Sequence, residues 1–514
     1  MPVGPERAGD SSRARVRGIR IRRAFLSALL LALGALVLRL FVALFVATDV
    51  SGDGPVYRQI ARNVLSRGVY SAEPDEPFRP TFIRVPGAPL ALAGLFALFG
   101  GENLDAVHAV QAVVDTGTCG LVAALCLLAA PAAWDSSRRR RAALCGFALA
   151  AVCPFTMVYA GTLLTETWAL FWGTLCVTLG TRAIADEGRG LAWWSAAGLA
   201  GGAGCMFRPD LGLVLAAVGA ILVGTWLAEL RADVRTGGTW RAARPATGRA
   251  AAKGLALSLA FVAVLLPWTV RNALEFGLFQ PLAPASASMP GEFVASGYAR
   301  WVKSWISRPP DVASFLWSLD ERALDPAQLP GEACDSPEER ARVAALFERY
   351  DREGGEEGGF RMTPELDAEF GAIADERARR HPIRHALLLP ARRAWNIWFD
   401  THSSFYPFDG DLLPLADLDT GAGQHVFLPA FYLLTWLYTA AGLAGVVAWW
   451  RAPGCRRWAV LLALLFFPRL AFLSSMPNPE PRYMVELFPF LSAAGGIAFA
   501  AATRPAAAEA APDC

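Results

Sequence analysis

Apolar runs long enough to cross a bilayer recur along this chain, and they leave it few folds to choose from. About 20 predominantly apolar residues match the hydrocarbon thickness as an α-helix, and lipid offers no partner to an unpaired peptide group. Candidate spans lie at about 24–47, 86–100, 104–130, 142–160, 163–184, 191–207, 210–230, 254–272, 427–450, 457–475 and 483–502. With 54% of its 514 residues hydrophobic, the chain is expected to be all-α: a polytopic transmembrane helical bundle of about 11 spans.

The net charge of +2 says little, but the placement of the arginines orients the bundle. Short loops rich in Arg and Lys stay in the cytoplasm. Four stretches qualify: the N-terminus (Arg13, Arg15, Arg17, Arg22, Arg23), Arg138 to Arg141, residues 231–253 (Arg231, Arg235, Arg241, Arg244, Arg249), and Arg451 with Arg456 and Arg457. The outer loops are then 48–85, 160–166, 207–210, 273–426 and 475–482. This divides the chain into a cytoplasmic basic N-terminus (1–23), a membrane core (24–275) with outer loop 48–85, an outer helical loop (276–426), C-terminal spans (427–502) and a tail (503–514). One stretch resists. Residues 86–130 must make a single net crossing yet hold two apolar runs, and Asp105, His108, Gln111 and Asp115 put a polar stripe at helical spacing on the second. One run must be a half-crossing or lie along the protein; the residues leave open which.

The long outer loop reads as helical. Ser336-Pro337-Glu338-Glu339 has capping-box spacing before a helix to about Arg352, and Thr363-Pro364 opens another, to about Arg380, with proline at its first position. Glu353 to Gly359 is an acidic, glycine-rich hinge. From Pro382 to Trp398, Arg and Trp interleave on an apolar segment that suits a helix lying among lipid headgroups. The nine cysteines are scattered singly without a CxxC, which reads as small apolar packing rather than a metal cluster or disulfide framework.

Six polar clusters fall on the outer side. Asp53 precedes Gly54-Pro55 and an amphipathic segment (Val56, Tyr57, Ile60, Ala61, Val64, Leu65) closed by Gly68. Asp53 could simply cap that helix, with Asp49 a nearby rival. Arg84, before Val85-Pro86-Gly87-Ala88-Pro89, could snorkel to headgroups or clamp a phosphate with two parallel donors. Glu166 stands in the first turn of a span, where the helix dipole alone would favour it, but an acid at the membrane edge is also a functional candidate. Arg208-Pro209-Asp210 reads first as a local ion pair in a tight turn. Trp268 is an interfacial anchor; the adjoining Arg271-Asn272 is less easily dismissed. Asn478-Pro479-Glu480-Pro481-Arg482-Tyr483 makes a stiff extended loop. Such features on one membrane face suggest an assembled site.

At these residues the chain resembles the multi-spanning GT-C glycosyltransferases, in the branch of protein O-mannosyltransferases and bacterial aminoarabinose–lipid A transferases. The likeness rests on Asp53-x-x-x-Tyr57 with Ile60 to Gly68, Arg84 to Pro89, Thr165-Glu166, Pro267-Trp268 through Arg271-Asn272 with Phe276-Gly277, the His381-Pro382 to Trp398 stretch, and Pro481-Arg482-Tyr483. No single motif is strong; their order over residues 24–500 is more specific. The resemblance implies a helical bundle with two juxtamembrane helices in the first outer loop and a polyprenyl-phosphate sugar as donor. It implies Asp53 as general base on the acceptor hydroxyl. Gly54 after Asp53, where relatives commonly carry an acidic pair, and Ala88 in place of an aromatic, depart from the pattern; they leave the acceptor and any divalent metal open.

The chemistry fits these residue types. Inverting displacement needs one carboxylate to take the acceptor proton, a role for Asp53, and fixed positive charge for the leaving phosphate, from Arg84, Arg271 or Arg482. Glu166 is the second catalytic candidate, since a retaining route would need two close carboxylates. Tyr57, Asn272, Glu480 and Tyr483 are candidate substrate contacts. No nucleotide-sugar motif or phosphate-binding glycine loop appears, and no organic cofactor is expected. The expected partners are a polyprenyl-phosphate sugar, a lipid, protein or glycan acceptor, and the bilayer, with no nucleic acid; the expected location is a bacterial inner membrane with the site facing outward. A flippase for a lipid-linked sugar is the alternative function, and a non-catalytic scaffold the third.

Overall fold

The computed structural model describes residues 26–48, 52–186, 190–235, 240–284, 286–354, 360–412 and 421–503. The basic N-terminus, Asp49, residues 355–359 of the acidic hinge and the tail from 504 lie outside them. Every regular element among the described residues is helical. Eight helices are long and apolar enough to cross a membrane: Leu26–Val46, Leu104–Ala129, Glu166–Ala185, Pro209–Arg235, Pro245–Phe276, Gly423–Arg451, Arg456–Ser474 and Pro481–Ala502. The bent pair Ser136–Ala151 and Pro154–Gly161, which turn 55° against each other, is long and apolar enough for a ninth when taken as one broken span. The 17-residue helix Leu191–Phe207 joins two of these spans and, at about 1.5 Å per residue, is long enough to return the chain across.

The two apolar runs of 86–130 are now told apart. Leu104–Ala129 crosses. Gly87–Leu98 has 12 residues and rises only about 18 Å, so the expected span at 86–100 is a half-crossing packed beside the rim helix Gly54–Arg67. The polar stripe on the crossing helix turns inward along its deeper half: Gln111 and Asp115 are both buried, while Asp105 at the helix start is exposed. Many apolar side chains are exposed, Leu274 at 83% and Phe45 at 77% among them. Such a surface is a liability in water and ordinary in lipid. The last span is the most enclosed, with 83% of its apolar window inside the bundle.

The bend in the third crossing has a local cause. Pro154 cannot continue the helix, and the break leaves carbonyls without partners. Arg39, fully buried in the first span, fills the gap: it donates to the carbonyls of Ala150 and Ala151 at 3.0 and 2.9 Å and pairs with Asp115 at 2.5 Å. Gln111 holds the far side of the bend through the carbonyls of Ala160 and Thr162, fixing the segment that leads into Glu166.

The outer loop folds around its own core of Tyr298, Trp301, Trp305, Phe315, Phe347 and Phe370. The capping signals are used as expected: Ser336 Oγ accepts from the Glu339 amide and Thr363 Oγ1 from the Leu366 amide, starting helices Pro337–Gly354 and Pro364–Arg380. The segment from Arg384 to Trp398 is helical. Arg384 and Arg392 turn back to Asp335 and Glu332 of the domain, while Ile383, Leu387, Leu388 and Trp395 stay exposed. That division of faces suits a helix at a lipid surface.

Candidate active site

The site is built where the span ends nearest Asp53 meet the rim helix Gly54–Arg67. That helix has Pro55 in its first turn, its φ already set for a helix, and closes at Gly68, whose φ of 70° is left-handed and favours glycine. Asp53 precedes it, yet its side chain makes no capping hydrogen bond. The carboxylate instead accepts from Arg84 Nη2 at 2.7 Å, with the two side chains 32% and 25% exposed. Arg84 also donates to the Ile83 carbonyl, and its Nε is buried without a partner. The simple capping reading of Asp53 and the snorkelling reading of Arg84 therefore both give way to a partly open ion pair.

Arg84 is held in place by close packing behind it. Gly87 lies so near the end of Leu191–Phe207 that a Cβ there would sit 2.4 Å from the Met206 carbonyl oxygen. Tyr70 donates toward the Arg84 and Val85 carbonyls. Only a residue without a side chain permits this approach.

Deeper in, Glu166 is buried at the start of its span. Its Oε1 accepts from Arg208 Nη1 at 3.0 Å, and its Oε2 has no hydrogen-bond partner. Arg208 does make the expected local pair with Asp210, at 3.3 Å, but that pair is one part of a larger cluster. Arg208 Nε also lies 3.0 Å from Glu486, and Arg469 Nη2 lies 2.6 Å from both Asp210 and Glu486. Arg208 and Arg482 flank the Tyr483 ring at 4.5 and 5.0 Å. Arg482 pairs with Glu480. Burial pushes the Glu480 carboxyl above its ordinary range, against the pull of Arg482.

These groups share one electrostatic neighbourhood. The charges acting on Tyr57, which is buried in the rim helix, are Asp53, Arg84, Glu166 and Arg208. Those acting on Arg482 include Glu480, Glu166 and Asp53. The structure thus brings Asp53, Tyr57, Arg84, Glu166, Glu480, Arg482 and Tyr483 together from four separate parts of the chain. Arg271 and its partner Asn272 adjoin this group through Tyr70, whose hydroxyl donates to the Arg84 carbonyl. Arg271 donates to the Thr81 carbonyl and the Asn272 side chain, within 5.6 Å of the Tyr70, Trp268 and Phe276 rings. Asn272 is fully buried and donates to the Gln280 carbonyl. This pair braces the first outer loop against the span Pro245–Phe276.

Sequence reasoning missed Arg469 and Glu486, two single charges inside apolar runs. Each stands alone where an ionisable side chain needs a partner, and that was the available signal. Among the described residues, no three of His, Cys, Asp and Glu are grouped to hold a metal ion.

No protein-family model matches the chain, and no curated protein matches it. Solved structures do. One is the oligosaccharyltransferase of Archaeoglobus fulgidus, tethered to an acceptor peptide, with a TM-score of 0.43 and 14% identity over 90% of this chain and 49% of that one. The same archaeal protein, AglB, with an inhibitory peptide and a dolichol-phosphate, matches at 0.43 and 14% over 90% and 50%. ArnT from Cupriavidus metallidurans, bound to undecaprenyl phosphate, matches at 0.37 and 13% over 91% and 77%. The chain spans about half the length of the archaeal chains it matches.

Proposed function

We propose that this chain is a membrane glycosyltransferase that moves a sugar from a polyprenyl-phosphate donor to an acceptor hydroxyl by inverting displacement. The observation that carries the reading is the Asp53 carboxylate: relieved of capping, partly open, and held at the rim by Arg84. In the reaction, the acceptor oxygen attacks the anomeric carbon, its proton passes to Asp53, and the bond to the phosphate oxygen breaks. General-base assistance of this kind contributes about 10²–10⁴ in rate. Arg84, whose Nε has no partner, and Arg482 supply positive charge for the departing phosphate, worth most in a water-poor site. Glu166, bound to Arg208, is the second carboxylate under the sugar, and Tyr57 and Tyr483 form its walls.

We place this site on the outer face of a bacterial inner membrane, because the arginine-rich turns Arg138–Arg141 and Arg451–Arg457 lie at the opposite end of the bundle.

The test is incubation of the purified protein with defined polyprenyl-phosphate sugars and identification of the product. Asp53→Asn is expected to lower transfer by about 10²–10⁴ with the melting temperature unchanged. Unaltered transfer by that variant would sink the base assignment. Movement of the donor across vesicles with no new glycosidic bond would favour a flippase.

A further inference from the structure

Several arginines at the two ends of the bundle differ in whether an acid lies against them, although Arg182 at the second end pairs with Asp186. At the carboxylate end, Arg58, Arg84, Arg208, Arg469 and Arg482 each lie against an acid. At the other end, Arg138 to Arg141, Arg451, Arg456 and Arg457 have no carboxylate partner among the described residues. Three of them, Arg138, Arg139 and Arg456, donate to backbone carbonyls. Arg138 donates to the Ala500 and Ala501 carbonyls, closing the last span, and Arg139 to the carbonyls of Pro131, Ala132 and Trp134.

Arg451, Arg456 and Arg457 line a half-open surface cavity of about 350 Å³ at one turn, with Trp450, Ala452, Pro453 and Gly454. Arg456 Nε reaches the Trp450 carbonyl at 3.3 Å, and the Arg457 guanidinium lies 4.6 Å over the Trp458 ring. The Nε atoms of Arg457 and Arg141 are buried with no hydrogen-bond partner. Helix Arg456–Ser474 begins at this turn, and its N-cap residue Cys455 supplies no side-chain acceptor, so its first amides add to the positive field. Trp449 Nε1 donates to the Ala129 carbonyl at 2.9 Å and ties this turn to the end of helix Leu104–Ala129.

An uncompensated guanidinium cluster calls for an anion, and the surroundings say which. Val447, Trp450 and Val460 beside the cavity are each more than 40% exposed, so it opens where the spans face lipid. We propose that this cavity binds the headgroup phosphate of an anionic phospholipid from the leaflet at that end. Arg451, Arg456 and Arg457 hold the phosphate, and the exposed apolar side chains lie along its acyl chains. The site is independent of the reaction proposed above.

The test uses the full chain in detergent, with bound lipid counted by native mass spectrometry against phosphatidylglycerol, phosphatidylcholine or inorganic phosphate. The native chain should retain phosphatidylglycerol in preference to phosphatidylcholine, undisplaced by phosphate. R451Q/R456Q/R457Q should retain it about a hundredfold less, since each arginine at a lipid surface contributes roughly fivefold. R342Q, altering an exposed pair on the outer domain, should match the native chain. Equal retention of the two lipids, or full retention by the triple variant, overturns the proposal. Displacement by inorganic phosphate assigns the cavity to a soluble anion and overturns it also. Should the triple variant fail to fold, the lipid comparison on the native chain decides alone.

Discussion

Two arginine–carboxylate systems are buried in this bundle, and they differ in how completely their atoms are used. Around Arg39, each guanidinium nitrogen has a partner: Asp115, the Cys119 sulfur, and the carbonyls of Ala35, Ala150 and Ala151. Around Arg208 and Arg469, Glu166 Oε2, Arg469 Nη1 and both Glu486 oxygens lack hydrogen bonds. The Glu486 oxygens lie within ion-pair distance of the arginines but off the hydrogen-bond directions. The first system repairs a broken helix and is closed. The second has donors and acceptors in reserve, next to a rim that is open. Buried charge is costly unless paired, so the second system carries a cost that the first does not.

The largest expected effect that could break this contrast is on stability at the closed site. Asp115→Asn strips Arg39 of its counter-charge, and breaking a buried pair costs about 3–5 kcal/mol; the melting temperature should fall sharply while transfer per folded molecule holds. Loss of transfer without loss of stability would mean that the closed system, too, takes part in the reaction. Acid should come next. Burial pushes the His402 imidazole down to about 4, below its ordinary value near 6.5. The folded state thus favours the neutral ring, and its stabilisation is complete above about pH 6.5 and lost as pH falls toward 4. The full linkage is on the order of 3 kcal/mol, and denaturant titrations at pH 7 and pH 4 should show it. His402→Phe, which fits among Phe155, Trp398 and Phe488, should flatten that dependence.

Gly87→Ala should cost about 1–3 kcal/mol through overpacking against the Met206 carbonyl. By displacing Arg84 it should also weaken donor binding, read as a raised KM. The smallest effect should be at the rim surface, where Arg58 and Arg62 share Glu102. Glu102→Gln should change stability by less than about 1 kcal/mol and leave transfer unaltered; a large loss there would extend the site outward to the rim.

The spans were legible because length and apolarity alone define them, and the outer helices because Ser336 and Thr363 announce their starts. The half-crossing at 87–98 was not assigned, since its apolarity equals that of a span and only the position of its neighbours separates the two. At the site, Asp53 and Arg84 could be nominated from the residues, but their pairing could not: 31 positions separate them, and only the folded first loop closes that gap. Asn272 read as a substrate contact because a polar residue at a span end has several uses. Its full burial against Gln280 depends on how the following loop folds back, which has no local signature.

Arg393 bears on how the outer domain can move. Its guanidinium is 1% exposed and has no acid beside it; it grips the carbonyls of Lys303 and Ile306 in the domain and, at 3.4 Å, that of Ser474. Residue 475 begins the loop that carries Glu480. A lid on a free hinge would swing without disturbing the groups beneath it. Here a buried cation joins the domain to the end of the span just before that loop, so the domain is anchored beside Glu480 and Arg482 and is not hung on a free hinge.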